Sequence, residues 1–193
     1  MPVLQAFLDE SFHEHCDAGF YILAAAVLPE ERHEVLREAM LALRGTRRGS
    51  KLHWYPMDDA EKLSAAKHVA DIAEMQVVTV TAPVPVKGQE RARALGLQRL
   101  VAELHSAGVR LIVAESRQRD LNTRDIQTVQ RIRRIALPKG ADIRIEHRLG
   151  DAEPLLWISD VVAGAVRARL TGTSRYFASL AECVIELQVD GAP

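Results

Sequence analysis

Two apolar runs with almost nothing between them constrain this chain more than any other feature. Val3 to Leu8 reads as a buried strand, "GFYILAAAVLP" as a second strand closed by Pro29, and only the polar stretch "DESFHEHCDA" separates them. Strands joined this tightly pair as an antiparallel hairpin, because a parallel partner needs a crossover of about a dozen residues or more.

The remainder of the chain follows another rhythm. "EERHEVLREAMLAL" is an amphipathic helix, ended by Gly45 and Gly49. "KLHWY" is a short extended piece, and Asp58 and Asp59 stand where the N-cap and first turn of the helix "AEKLSAAKHVADIAEM" belong. "QVVTVTAPV" is β-branched and alternating, hence a strand. "QERARALGLQRLVAELHSAG" places Leu97, Leu100, Val101 and Leu104 on one helical stripe, and "VRLIVAES" returns as a strand. A helix capped by Asn122 or Thr123 follows, then "DIRIEHRL" as a strand. Finally "EPLLWISDVVAGAVRARL" forms a helix apolar on nearly every side, with Pro154 in its first turn.

Strands that alternate with helices need parallel partners, so the pattern predicts an α/β fold: a mixed sheet with an N-terminal antiparallel hairpin plus parallel strands, and helices on both faces. No Pro/Gly/Ser-rich linker or internal repeat divides the chain. Residues 1–189 are read as a single domain and 190–193 as a frayed tail.

Lys plus Arg, 25, nearly balance Asp plus Glu, 26, which excludes a wholesale polyanion binder and leaves room for a local basic face. Cys16 and Cys183 lie far apart without a C-x-x-C pattern, so neither a zinc ribbon nor a disulfide framework is expected, and a reducing compartment fits. With no basic segment leading an apolar stretch, and no run of about 18 apolar residues, a cytoplasmic protein without signal peptide or membrane span is expected. The oligomeric state, a homodimer included, is left open.

Three acidic sites interrupt apolar elements. Asp9 and Glu10 follow the first strand, Glu115 closes "LIVAES", and Asp160 sits inside "LLWISDVVAGAV". An ionised carboxylate in such surroundings is costly unless it is paired or binds a cation. Gly164, four residues after Asp160, leaves the same helix face open to close approach. If that helix packs near the carboxyl end of the first strand, Asp160 meets Asp9. Converging carboxylates repel unless a divalent cation neutralises them, and hard oxygen ligands suit Mg²⁺ or Mn²⁺. Each residue also has a plainer reading: Asp9 as a turn residue, Glu10 as surface on the opposite face, Glu115 bridged to Arg117 or Arg119, Asp160 in a buried pair with an arginine.

"FLDES", "YILAAAVLP", "KLHW" and "LLWISDVVAGAV", in this order, resemble the domain of unknown function 3800 family over nearly the whole chain. The resemblance implies a ribonuclease H-like fold and a nuclease-like site. Asp9 matches the aspartate of the first strand, Asp160 that of the last helix, and Glu115 an additional acidic ligand. These three are then the expected ligands of Mg²⁺ or Mn²⁺, with Glu10 beside them. Trp157 stands where many relatives carry a glutamine.

In such a site the metal activates water and offsets charge on the leaving oxygen during attack at a phosphodiester. His53 would shuttle a proton, and Lys51 and Ser11 would hold the substrate's phosphate. The alternative is a non-catalytic module of the same fold that binds nucleic acid or a protein, its carboxylates making salt bridges only.

The helix "NTRDIQTVQRIRRIAL" is expected to bury Ile126, Val129, Ile132 and Ala136 and to present Arg124, Gln127, Arg131 and Arg134 as a stripe. With Arg117, Arg119 and Arg133, and with Arg47 and Arg48, that stripe would follow the backbone of RNA or DNA. A solvated helix face is the plainer explanation. "HEHCD" offers His13, His15, Cys16 and Asp17 to zinc, but alternate residues of one turn rarely complete a tetrahedral site without distant ligands, so a polar hairpin turn is preferred. No phosphate-loop or dinucleotide glycines occur, and no serine or cysteine nucleophile motif.

Overall fold

The first strand does not stop where its apolar run does. In the computed structural model, which describes residues 2–16, 19–46, 51–73 and 75–192, strand β1 spans Leu4–His13 and pairs antiparallel along its whole length with β2, Phe20–Pro29. Asp9, Glu10 and Ser11 therefore lie inside the strand, opposite Ala24, Leu23 and Ile22, and not in the turn.

A short 3-10 turn leads into α1 (His33–Arg44), which ends at Gly45 with φ 56°, a left-handed conformation that costs glycine little. Helix α2 (Asp59–Ile72) opens with the expected cap: the Asp58 carboxylate accepts from the Glu61 N–H, and the Glu61 carboxylate accepts in turn from the Asp58 N–H. Strand β3 (Met75–Ala82), α3 (Gln89–Ser106), β4 (Val109–Glu115), α4 (Arg119–Ile135), β5 (Arg144–Arg148), α5 (Leu156–Leu170) and β6 (Val184–Asp190) complete the chain.

The sheet order is β5-β4-β1-β2-β3-β6. The first three strands form an antiparallel meander, β4 and β5 run parallel to β1, and β6 runs parallel to β3. This is the mixed sheet that the sequence predicts, antiparallel at the N-terminal hairpin and parallel where helices intervene, with helices on both faces. Strand β6 is an addition at the edge. It extends through Asp190, and the Gly191 N–H donates to the Ala82 carbonyl, so pairing reaches into the stretch expected to fray.

Strand alternation separates two cores. Phe7, Ile22, Ala24 and Val113 face α1, α2 and α5, whereas Ala6, Leu8, Leu23 and Ile112 face α3 and α4. Helix α5, buried from Leu156 to Ser159 and from Val161 to Val166, lies across β1 and β2. It is tied there by Ser159, whose hydroxyl donates to the Phe7 carbonyl (2.5 Å) and accepts from the Ala26 N–H (3.3 Å). Pro154 sits just ahead of this helix, not in its first turn.

Two local expectations need correction. Gln118, not Asn122 or Thr123, precedes α4, and Asn122 instead accepts from the Arg117 N–H and donates to the Ser116 hydroxyl. The buried face of α4 carries Asp125, Val129 and Ile132; Ile126 and Ala136 are exposed, because the phase of the helix is set by Asp125 turning inward to its partners.

Candidate active site

The parity of β1 decides which carboxylates meet. Asp9 shares the face of Phe7 and so points toward α5, while Glu10 points with Leu8 toward α3. Glu115 shares the face of Val113, and the register Leu8↔Ala114 brings the end of β4 alongside Asp9. Asp160 enters from α5, one residue after the Ser159 anchor. Asp9, Glu115 and Asp160 line one open cleft of about 340 Å³ together with Glu10, Lys51 and His53.

Lys51 sits among these carboxylates. Its ammonium bonds Glu115 Oε2 and lies 3.4 Å from Asp9 Oδ2, with its side chain only 8% exposed. Burial pushes the Asp9 carboxyl well above the usual carboxylate range; the Asp160, Glu115 and Glu10 charges act in the same direction and Lys51 opposes them. Asp160 is likewise raised by burial, against the pull of Lys51 and of the Trp54 N–H. For Lys51 burial alone would lower the pKa, but Asp9, Asp160 and Glu115 outweigh it and the ammonium is held above its ordinary value. Glu115 thus pairs with Lys51 and not with Arg117 or Arg119.

The cluster is braced from behind. Asp9 Oδ1 accepts from the Glu10 N–H at 2.8 Å, and Asp160 Oδ2 accepts from the Trp54 N–H at 2.9 Å. His53 Nδ1 lies 3.9 Å from the same Asp160 oxygen, with more than half of the ring exposed. Trp157 donates its indole N–H to the Gly150 carbonyl at 2.6 Å, and Gly150 lies so close to the Glu115 carboxylate and the Lys51 stem that a Cβ there would overlap the carboxylate. Trp157 therefore fixes the backbone behind Glu115.

The other expected residues are distributed less favourably. Glu10 accepts from Arg93 at 2.6 Å on the far face of β1. Arg117 lines the cleft, but its guanidinium donates to Glu90 (2.7 Å) and Asp125 (3.1 Å). Ser11 lines an adjoining recess. Arg124 and Arg131 are exposed on α4, as are Gln127 and Arg134, and do not line the carboxylate cleft. Arg47, Arg48 and Asp17 lie outside the described residues; His13 and His15 stack with ring centroids 6.2 Å apart, and Cys16 is exposed.

Behind Glu10 lies a buried network that the sequence reading misses. Arg93, 1% exposed, grips Asp125 through Nε (2.9 Å) and one terminal nitrogen (2.8 Å), and His147 Nε2 lies 3.1 Å from Asp125 Oδ2. Burial would raise the Asp125 carboxyl, but hydrogen bonds from His147 and Arg93 and the charges of Arg93 and Arg117 bring it down to about 2. The signal is present in the helical period: Arg93 shares a stripe with Leu97, Leu100 and Leu104, and Asp125 one with Val129 and Ile132.

Three carboxylates are the donor type that a hard divalent cation takes. Here the one ammonium of Lys51 offsets part of their charge, and among the described residues no three His, Cys, Asp or Glu side chains stand in a metal-holding arrangement. Among these residues no helix is long and apolar enough to cross a membrane.

No protein-family profile matches the chain, and no curated protein matches it. Among solved structures it is similar to Bst-RNase HIII in complex with Mn²⁺, at 12% identity and TM-score 0.47, and to a glutamine-to-alanine mutant protein of Bst-RNase HIII, at 16% identity and TM-score 0.46. In both cases 94% of this chain is covered and 64% of the other, so the chain spans under two thirds of the proteins it matches.

Proposed function

We propose that the chain is a divalent-metal-dependent phosphodiesterase or nuclease and a member of the domain of unknown function 3800 family. One observation carries the reading: Asp9 from β1, Glu115 from β4 and Asp160 from α5 line a single cleft although each follows or interrupts an apolar run. Grouped, largely desolvated carboxylates cost stability, and such perturbed groups cluster at functional sites. A Mg²⁺ or Mn²⁺ ion held by these three would activate a water and offset the charge of a phosphodiester.

The chain's own groups take the other roles. The Lys51 ammonium, already between Glu115 and Asp9, is the cation within reach of a phosphate oxygen at the cleft. His53, exposed at the rim beside Asp160, accepts or returns a proton at Nδ1. Glu10 is a positioning residue: its N–H holds Asp9, and its carboxylate is fixed by Arg93. The exposed Arg124 and Arg131 supply sequence-independent attraction for RNA or DNA.

A second reading is favoured by one observation. Lys51 already ion-pairs with Asp9 and Glu115, as it would in a non-catalytic module that binds nucleic acid or a protein. Titration with Mn²⁺ while following thermal unfolding separates the two. The first reading expects a rise in Tm that saturates with metal and is abolished in Asp160→Asn, which keeps an acceptor for the Trp54 N–H. A parent protein whose Tm ignores Mn²⁺ and Mg²⁺ leaves the second reading standing.

A further inference from the structure

Beside the carboxylate cleft, and sharing Glu10 and Asp160 with it, lies a recess of about 260 Å³ lined by Ser11, Phe12, Trp54, Tyr55, Gly164 and Arg167. It is smaller than the roughly 300–1,000 Å³ typical of pockets for drug-sized ligands, which suits a single aromatic ring system with its sugar. Two features of its walls are not explained by packing. Tyr55 is 89% exposed, an unusual place for a large ring. Arg167 is half-buried, and no ion pair or hydrogen bond of its guanidinium to another described residue is present. Its position on α5 is seven residues beyond Asp160, so the two stand on one helix face about 10 Å apart.

Trp54 itself is not the free surface. One side of its indole rests on Gly164, its neighbour Tyr176 meets it edge-on at 5.4 Å, and the Lys62 ammonium lies 5.7 Å from the ring centre. Trp54 is a fixed wall, held to the site by its N–H on Asp160. Tyr55, next in sequence, carries the ring left open to a ligand.

We propose that this recess takes one unpaired nucleobase, stacked on Tyr55, with Arg167 on a neighbouring phosphate, so that the substrate class is single-stranded nucleic acid. The proposal rests on the nuclease reading above, because only a phosphodiester drawn to the carboxylate cleft would deliver its adjoining base here. Aromatic stacking suits an unpaired base of any sequence, since every base has a π-face, and a base held within a duplex has none to offer. Arg167 adds the backbone charge contact that such grooves pair with their aromatic platforms.

The test measures the binding of a short fluorescein-labelled phosphorothioate oligonucleotide, which resists hydrolysis, by anisotropy, single-stranded and annealed to its complement. The single strand is expected to bind at least about tenfold more tightly than the duplex. Tyr55→Ala is expected to lose about tenfold for the single strand, and Tyr55→Phe to retain parental affinity. Arg167→Gln is expected to weaken binding and to lower the salt dependence by about one charge. Equal affinity for duplex, a Tyr55→Ala variant that binds like the parent, or an absence of binding overturns the proposal; so does an equal loss on both forms, which marks a general contact surface. The Mn²⁺ response of the parent's Tm tells the two failures apart: intact, only the base recess falls; absent, the nuclease reading falls with it.

Discussion

Trp54 lies across Gly164 so closely that a methyl group on the glycine would come within 2.5 Å of the indole atoms, well inside van der Waals contact. The same tryptophan's N–H holds Asp160, one helical turn away, so the packing of an aromatic ring and the position of a site carboxylate are one geometric fact. Gly164→Ala is therefore expected to cost about 1–3 kcal/mol by overpacking. Thermal unfolding reads that cost, and a weakened Mn²⁺ response in the same variant reads the displaced Asp160. A variant with parental Tm and parental metal response contradicts the contact.

Lys51 supplies the positive charge nearest to Asp9 and Glu115. Lys51→Met leaves those carboxylates uncompensated, and breaking a largely buried pair in this way costs about 3 kcal/mol. In chelator the variant should unfold at lower denaturant, and Mn²⁺ should restore much of the loss. Urea titrations with and without metal check both halves.

Ser159 is the clip between α5 and the sheet. Ser159→Ala removes the hydroxyl's bonds to the Phe7 carbonyl and the Ala26 N–H, at an expected cost of about 0.5–1.5 kcal/mol. Equilibrium unfolding of the parent and the variant measures it.

Asp125 gives the fold an acid limit. Its carboxyl titrates near 2 in the folded protein and near its ordinary 3.8 when unfolded. A lowered folded value means that the stabilisation is fully present above about pH 4 and is lost as pH falls through 2, by an amount on the order of 2 kcal/mol. Glu153, also lowered despite its burial because Arg37, the Leu155 N–H and Arg148 bond it, loses stabilisation as the medium acidifies too. Comparing Asp125→Asn with the parent between pH 2 and 7 isolates the first contribution: the variant should start less stable and show a flatter acid limb.

How much of this is legible from the residues differs between elements. The hairpin, the alternation of later strands with helices, and the meeting of Asp9 with Asp160 all follow from local period, because a buried strand and a helix apolar all round have few ways to pack. Strand β6 is not legible: "VIELQVD" is short and carries Glu186 and Gln188, and only its pairing with β3 makes it a strand. The phase of α4 is misread for a related reason. Ile126 looks like a core residue until Arg93, on a different helix, draws Asp125 inward. The sequence assigns Lys51 to a phosphate, and nothing local announces that its partners are Asp9 and Glu115, 42 and 64 residues away.

The clip at Ser159 joins positions 152 residues apart, and this has a cost in time as well as energy. On a ribosome adding about 5–20 residues per second, the apolar face of the opening hairpin waits on the order of 10 s for the segment that covers it. Until then Phe7 and the alanines of the second strand offer a flat, sticky ribbon to any nascent neighbour. Yield of intact protein should consequently depend on chaperone supply and growth temperature more steeply than its finished stability would suggest.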